Sequence, residues 1–415
     1  MFKNMIIEKI SEIVTPIGRK GVFGSAMQNL TRYEHYSIVI ENGKIVALTD
    51  QTQIIETYKR KGYPVISGEG MCATPGYIDS HTHLVFGGYR PEEFDMRLKG
   101  KSYMEIMQMG GGIANSVQMT RDTSLETLIS LGQNRLRKMA ALGVTSVEIK
   151  SGYGLDLETE MKQLKAIKAL KNIAPQTIIS TFLGAHAIPK NLDADTYVEI
   201  LNEEILPKIA ENHLADFVDV FCEDHVFNID QSRSHLSKAA SLGFKLKLHA
   251  DEIVSLGGGE LAAELNAISA DHLLHVSDKG IEALAEKGVI ATLLPATAFT
   301  LREDFAPARK LIESGCAVAL ATDFNPGSCF TYAIPLIIAL STLQMKMTIE
   351  EVLTALTLNA AAAIDLAEDY GSIEIGKSGD LILHEFPSYK FIAYHVGVNT
   401  VKYVIKDGVL IHTNS

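Results

Sequence analysis

Two histidines two residues apart, His81 and His83, follow the run Pro75-Gly76-Tyr77-Ile78-Asp79-Ser80. Side chains alternate along an extended chain, so both imidazoles of such a pair point to one side. His249 closes the segment Lys245-Leu246-Lys247-Leu248, and Asp323 closes the apolar run Val318-Ala319-Leu320-Ala321-Thr322. Imidazoles and a carboxylate converging on one point suit zinc, iron or manganese. Glu252 lies three residues beyond His249, close enough to take a proton from water activated by an ion at His249. A carboxylate at that spacing also suits the first turn of a helix. His272 could orient the water or stabilise an oxyanion, or it could be a further ligand. Asp323 is a rival base, because a carboxylate ligand can also touch the water.

These residues need a frame that brings them together. The middle of the chain alternates short apolar stretches with helical ones. The strand candidates fall at 76–84, 145–153, 177–186, 217–223, 245–252, 267–274, 289–295 and 317–324, with helix-like runs such as 124–142, 157–172 and 278–288 between them. Eight such units predict an α/β chain with a (β/α)8 TIM-like barrel over 76–375. The two ends read as strands, with turn signals at Asn42-Gly43 and Asp407-Gly408. They predict a small β-sandwich domain built from 1–75 and 376–415. His81, His83, Tyr153, His186, His249, His272 and Asp323 all fall at or just past the C-terminal ends of the expected strands, the active rim of such a barrel. Any one of these histidines alone reads as a core residue satisfied by a local hydrogen bond. Their coincidence on one rim reverses that reading.

The chain resembles the amidohydrolase superfamily in the run 75–83 (PGYIDSHTH), in His249, His272 and Asp323, and in the segment 371–383 (GSIEIGKSGDLIL). Many members hold two metals bridged by a carboxylated lysine after the fourth strand. Here that strand ends in Phe221-Cys222-Glu223, and Lys150 lies on the second strand. The resemblance therefore implies one Zn2+ or Fe3+ per subunit, held by His81, His83, His249 and Asp323. A closer likeness, to the ring-opening hydrolases of histidine breakdown, rests on the segments 86–113, 148–156, 181–189, 249–252, 269–273 and 322–328. It implies that water cleaves the lactam of 4-imidazolone-5-propanoate, giving N-formimidoyl-L-glutamate. Glu252, His272 and Asp323 would share the catalysis. Arg90, Tyr153, His186, Glu252, Asn325, Gly327, Ser328 and Tyr103 would contact the substrate. A guanidinium at Arg90 can fork onto the propanoate carboxylate; its plainer reading is a surface ion pair with Glu92 or Glu93.

Composition narrows the rest. A net charge of -12 disfavours a nucleic-acid or anionic-membrane partner. The four cysteines form no CxxC pair, which fits a reducing compartment, and the first residues lack the apolar core of a signal peptide. A cytoplasmic enzyme acting on a small-molecule substrate is expected, with a homodimer the assembly entertained. Two rivals stay open: a deaminase of a nucleobase or aminoimidazole on the same scaffold, and a non-catalytic scaffold protein.

Overall fold

The computed structural model describes residues 3–101, 105 and 111–414. Tyr103, the substrate contact expected after the first barrel strand, lies outside the described residues. Strands β1 (Met5–Thr15), β2 (Thr31–Glu41), β3 (Lys44–Thr49), β4 (Val65–Ser67) and β5 (Cys72–Pro75) come first. The expected parallel series follows as β6 (Tyr77–Asp79), β7 (Val144–Lys150), β8 (Thr177–Ala185), β9 (Phe217–Cys222), β10 (Lys245–Ala250), β11 (Ser269–His272), β12 (Ile290–Leu293) and β13 (Val318–Leu320). The chain ends with β14 (Leu381–His384), β15 (Val401–Lys406) and β16 (Val409–Thr413).

Strands β6 to β13 pair in sequence order into one eight-stranded parallel sheet. The sheet closes just beyond its strands: His83 N donates to Phe324 O at 2.9 Å, and Asp323 N to His81 O at 3.0 Å. Asp79 adds to this seam by accepting from Thr322 N at 3.0 Å and its hydroxyl at 2.6 Å. The outer helices form where polar caps precede apolar stripes. Ser124 caps the helix Leu125–Ala140 and Asp156 caps Leu157–Ile173, each cap contributing about 1 kcal/mol. The buried stripes Leu128, Leu136, Met139 and Leu164, Ile167, Leu170 belong to the main barrel core. Gly132 lets the two helices approach, since a Cβ there would meet Leu170 Cδ1 at 2.5 Å.

The strands of the two chain ends form the second sheet, in the order β16-β15-β14-β5-β1-β2-β3 with β4 also on β1. They hydrogen-bond into one continuous mixed sheet. Strand β1 makes this work by pairing β4 along Ile6–Glu8 and β5 at Glu12–Ile13, with an irregularity between Ile7 and Ile10 where it faces β2. The sheet encloses its own core of Ile7, Ile10, Ile13, Ile38, Ile40, Leu381, Leu383 and Ile405. Both expected hairpins are present: Asn42 and Gly43 have φ of 52° and 80°, Asp407 and Gly408 48° and 71°, the signs a tight two-residue turn requires. Residues 22–28 leave this sheet and cover the N-terminal end of β13, where Gly24 N donates to Cys316 O and Asn359 bridges Val22 and Val318. The C-terminal rim is left for the site. Among the described residues, no helix is long and apolar enough to cross a membrane.

Candidate metal centre

The sequence places both histidines of the HxH pair on the first barrel strand. Strand β6 ends earlier, at Asp79, but Thr82 bridges Phe324, so the segment stays extended and the two rings share one side, 5.4 Å apart. This segment is pinned from the helices outside. Arg135, 4% exposed, donates to Leu84 O at 2.6 Å and Phe86 O at 3.1 Å. Its guanidinium lies over the Phe86 ring at 3.7 Å. Gln163 donates to Val85 O at 2.7 Å.

The donor atoms of His81, His83 and His249 lie within 4.8 Å of one another, as do those of His81, His272 and Asp323. Asp323 Oδ1 is 3.6 Å from His81 Nε2 and 3.4 Å from His83 Nε2. The four expected ligands and His272 thus meet in one pocket, each buried. Burial holds His81 and His83 well below the ordinary histidine range and His272 down at about 3. The rings are therefore neutral, the form that ligates a metal. His81 Nε2 and His249 Nε2 find no hydrogen-bond partner. An unsatisfied buried polar atom costs about 1–3 kcal/mol, so two facing one centre fit an ion that would satisfy both. Backbone strain gathers on the same rim. Asp251, His272 and Asp323 have φ of 51°, 78° and 52°, a conformation costing of order 1–3 kcal/mol for residues other than glycine.

Glu252 reaches this pocket, its Oε1 3.5 Å from His272 Nδ1. Burial, then the Asp323 and Glu223 carboxylates, push it up to about 8. It is not the first-turn acid of a helix, because the next helix begins at Gly258. The neighbouring Asp251 organises that turn by accepting from the backbone N–H groups of Leu256, Gly257, Gly258 and Gly259 at 2.9–3.1 Å.

Beneath the pocket lies a layer the sequence reading missed: Glu148, Lys150, Asp219, Lys247 and Asp271, each 0% exposed. Lys150 Nζ is 2.8 Å from both Glu148 and Asp219. It is no metal bridge. Burial opposes its charge, but the carboxylates of Asp219, Glu148 and Asp271 outweigh this and hold the ammonium above the ordinary lysine value. The signal was present as alternation. Lys245, Lys247 and His249 share one parity on β10, so the face carrying His249 must also carry Lys247 inward.

Tyr153, His186, Arg90 and the 325–328 loop are all expected at the substrate. Tyr153 packs its ring 5.8 Å from His83 and 5.2 Å from His186. His186 stacks on His83 at 5.0 Å and shares its Nδ1 with Gly152 O at 2.9 Å. Arg90 does pair with Glu93, at 3.2 Å, yet its side chain is 10% exposed and it also donates to Pro326 O. The guanidinium lies along the 325–328 loop, where a Cβ on Gly327 would come within 1.7 Å of it. Asn325 builds this loop. Its Nδ2 donates to Asp323 O and Ser328 Oγ, and its Oδ1 accepts from Gly327 N and Ser328 N, each at 2.7–2.9 Å.

A barrel with this rim constellation has relatives. The amidohydrolase family model matches residues 72–411. An imidazolonepropionase of Clostridium tetani is 52% identical, with 99% of each chain covered. One of Bacteroides thetaiotaomicron is 51% identical over all of both chains. The chain belongs to the imidazolonepropionases of the amidohydrolase family. It is a hydrolase of a metal-dependent family, and its His/Asp cluster is a group that could hold a metal ion. The atrazine chlorohydrolase of Arthrobacter aurescens, solved in complex with zinc, shares this amidohydrolase fold, with a TM-score of 0.70 at 16% identity over 99% of this chain and 95% of that one.

Proposed function

We propose that this chain hydrolyses the cyclic amide of 4-imidazolone-5-propanoate to N-formimidoyl-L-glutamate, a step of histidine degradation. The observation that carries this reading is the pocket in which His81, His83, His249 and Asp323 converge, with Glu252 and His272 beside them. Likeness of about half of all residues to imidazolonepropionases over the full chain supports the substrate. His81, His83, His249 and Asp323 would hold one Zn2+ or Fe3+. When bound, the ion supplies Lewis acidity and lowers the pKa of water toward about 7.

The protein groups do the rest. Glu252, largely buried and 3.5 Å from His272, takes the proton of the attacking water in its ionised form, which the charge of a bound cation would favour against the upward push of burial, and returns one to the departing ring nitrogen. His272, neutral by burial, faces the developing oxyanion and steers the water. Thr297 donates to Asp323 Oδ2 at 2.7 Å and fixes that carboxylate's rotamer. Arg90 receives the propanoate tail, braced by Glu93 and Pro326 O. Tyr153 and His186 form the aromatic wall against the ring. Asn325, Gly327 and Ser328 shape the loop on which Arg90 rests. The sheet of 1–75 with 376–415 is read as one unit and 76–375 as the catalytic one, in a cytoplasmic enzyme that forms homodimers.

The test is direct assay of the purified, metal-loaded chain with 4-imidazolone-5-propanoate. Loss of the lactam with formation of N-formimidoyl-L-glutamate supports the reading. Ammonia release from an aminoimidazole or nucleobase, without lactam opening, would transfer the chain to the deaminases. A chain that binds no metal and turns over neither would be a scaffold.

A further inference from the structure

We propose that the buried charges under the pocket, Asp271 and Asp219 with Lys150 and Lys247, are positioning residues that aim two of the metal-holding histidines. The inference rests on the reading of His81 and His249 as ligands.

The geometry is specific. Asp271 Oδ2 lies 2.6 Å from His81 Nδ1. With the carboxylate oxygen as acceptor of an Nδ1–H, Nε2 keeps its lone pair for the centre. That Nε2 is the atom without a partner, 3.6 Å from Asp323. At His249 the carboxylate is equally near, Asp219 Oδ2 lying 3.0 Å from Nδ1, but as an ion-pair contact without hydrogen-bond alignment, so both ring nitrogens of His249 lack a hydrogen-bond partner. Each carboxylate is itself held. Asp219 Oδ1 accepts from Val220 N at 2.8 Å and His249 N at 3.2 Å. Asp271 Oδ1 accepts from Ser269 Oγ at 2.7 Å, while Lys247 Nζ lies 3.3 Å from Oδ2 and donates to the same serine. Lys150 joins the two halves, donating to Asp219 at 2.8 Å with Asp271 at 3.9 Å.

The plain alternative is that these charges only fill the barrel. Apolar branched residues fill barrel interiors as a rule, and replacing a buried ion network with them is often neutral or stabilising. Filling alone does not require that both carboxylates meet the ring nitrogen opposite the metal-facing one. Carboxylates behind metal-bound imidazoles fix the tautomer and raise ligand basicity, typically worth 10–100-fold in affinity.

The experiment measures Zn2+ affinity by chelator competition, with the melting temperature of the metal-free protein alongside, in wild type, Asp271→Asn, Asp219→Asn and Lys150→Met. Ser269→Ala is a milder variant that remains informative if Lys150→Met does not fold. The aspartate variants should bind Zn2+ about 10–100-fold more weakly. Lys150→Met should weaken it as well, and Ser269→Ala by less. In 15N spectra of Asp271→Asn, His81 should lose its single Nδ1–H tautomer. Folded aspartate variants with wild-type affinity and an unchanged His81 tautomer would overturn the inference, even if their melting temperatures fall. A wild-type chain that takes up no stoichiometric ion would instead overturn the ligand reading itself.

Discussion

His384 and His81 are both sealed from solvent, yet only one stands in a place for chemistry. His384, on the sheet of the chain ends, shares its two ring nitrogens with Thr74 Oγ1 at 3.1 Å and Thr400 Oγ1 at 2.9 Å. Burial pushes it down to about 3, as it does His272. His81 has one nitrogen on Asp271 and the other on nothing, within reach of donors from separate strands. Burial and a depressed pKa therefore do not distinguish a ligand from a core histidine. What does is a ring nitrogen left without a partner, as on His81 and His249, beside donor atoms from other strands about one centre.

The sharpest way to break this comparison is to remove a ring from the centre. His249→Ala should lose metal and nearly all activity, and full metal occupancy in this variant would falsify its place among the ligands. Next comes the proton path. Glu252→Gln keeps the shape but cannot accept a proton, so kcat should fall by roughly 10²–10⁴ with metal retained. His272→Asn, assayed beside it, decides the division of labour: a metal-replete Glu252→Gln enzyme with near-normal kcat, beside a crippled His272 variant, would move the shuttle to His272. A smaller effect is expected at the mouth. Arg90→Ala should weaken substrate binding by about 1.5–3 kcal/mol, the range for hydrogen bonds to charged groups. Arg90→Lys should recover only part, lacking the fork; unchanged kinetics in both variants would free Arg90 of the tail. The least catalytic effect belongs to the other histidine. His384→Ala should cost about 1–3 kcal/mol of stability by stranding Thr74 and Thr400, while metal content and kcat stay at wild type. Metal loss there would erase the distinction.

The barrel was legible because short, largely apolar runs alternate with helical stretches, and the eight runs expected contain the eight strands found. The HxH pair and the His249–Glu252 spacing are local features of the sequence, whereas His249 and Asp323 were expected from their places at strand ends. The charged layer was not. Lys150 and Asp219 come from β7 and β9, and nothing in either strand alone tells that an ammonium and a carboxylate meet at 2.8 Å. In KLKLHA the alternating lysines resemble a solvent face, and Lys245 is indeed exposed and paired with Asp365. Closure of the barrel turns the same face inward two residues later. Asn325, expected as a substrate contact, also has a role the sequence did not show: its side chain hydrogen-bonds its own loop.

The closing seam of the barrel bears on how the chain is made. Asp79 and Thr322, which meet across it, are 243 positions apart. The hydrogen bonds that shut the ring run through the backbone of His81, His83 and Asp323 themselves. During synthesis the HxH segment leaves the ribosome long before its partner exists, with neither Asp323 nor a closed wall beside it. Of the four proposed ligands, Asp323 is the last to emerge, just after β13. A nascent chain arrested before β13 would present the HxH pair and His249 without Asp323, the fourth of the proposed ligands.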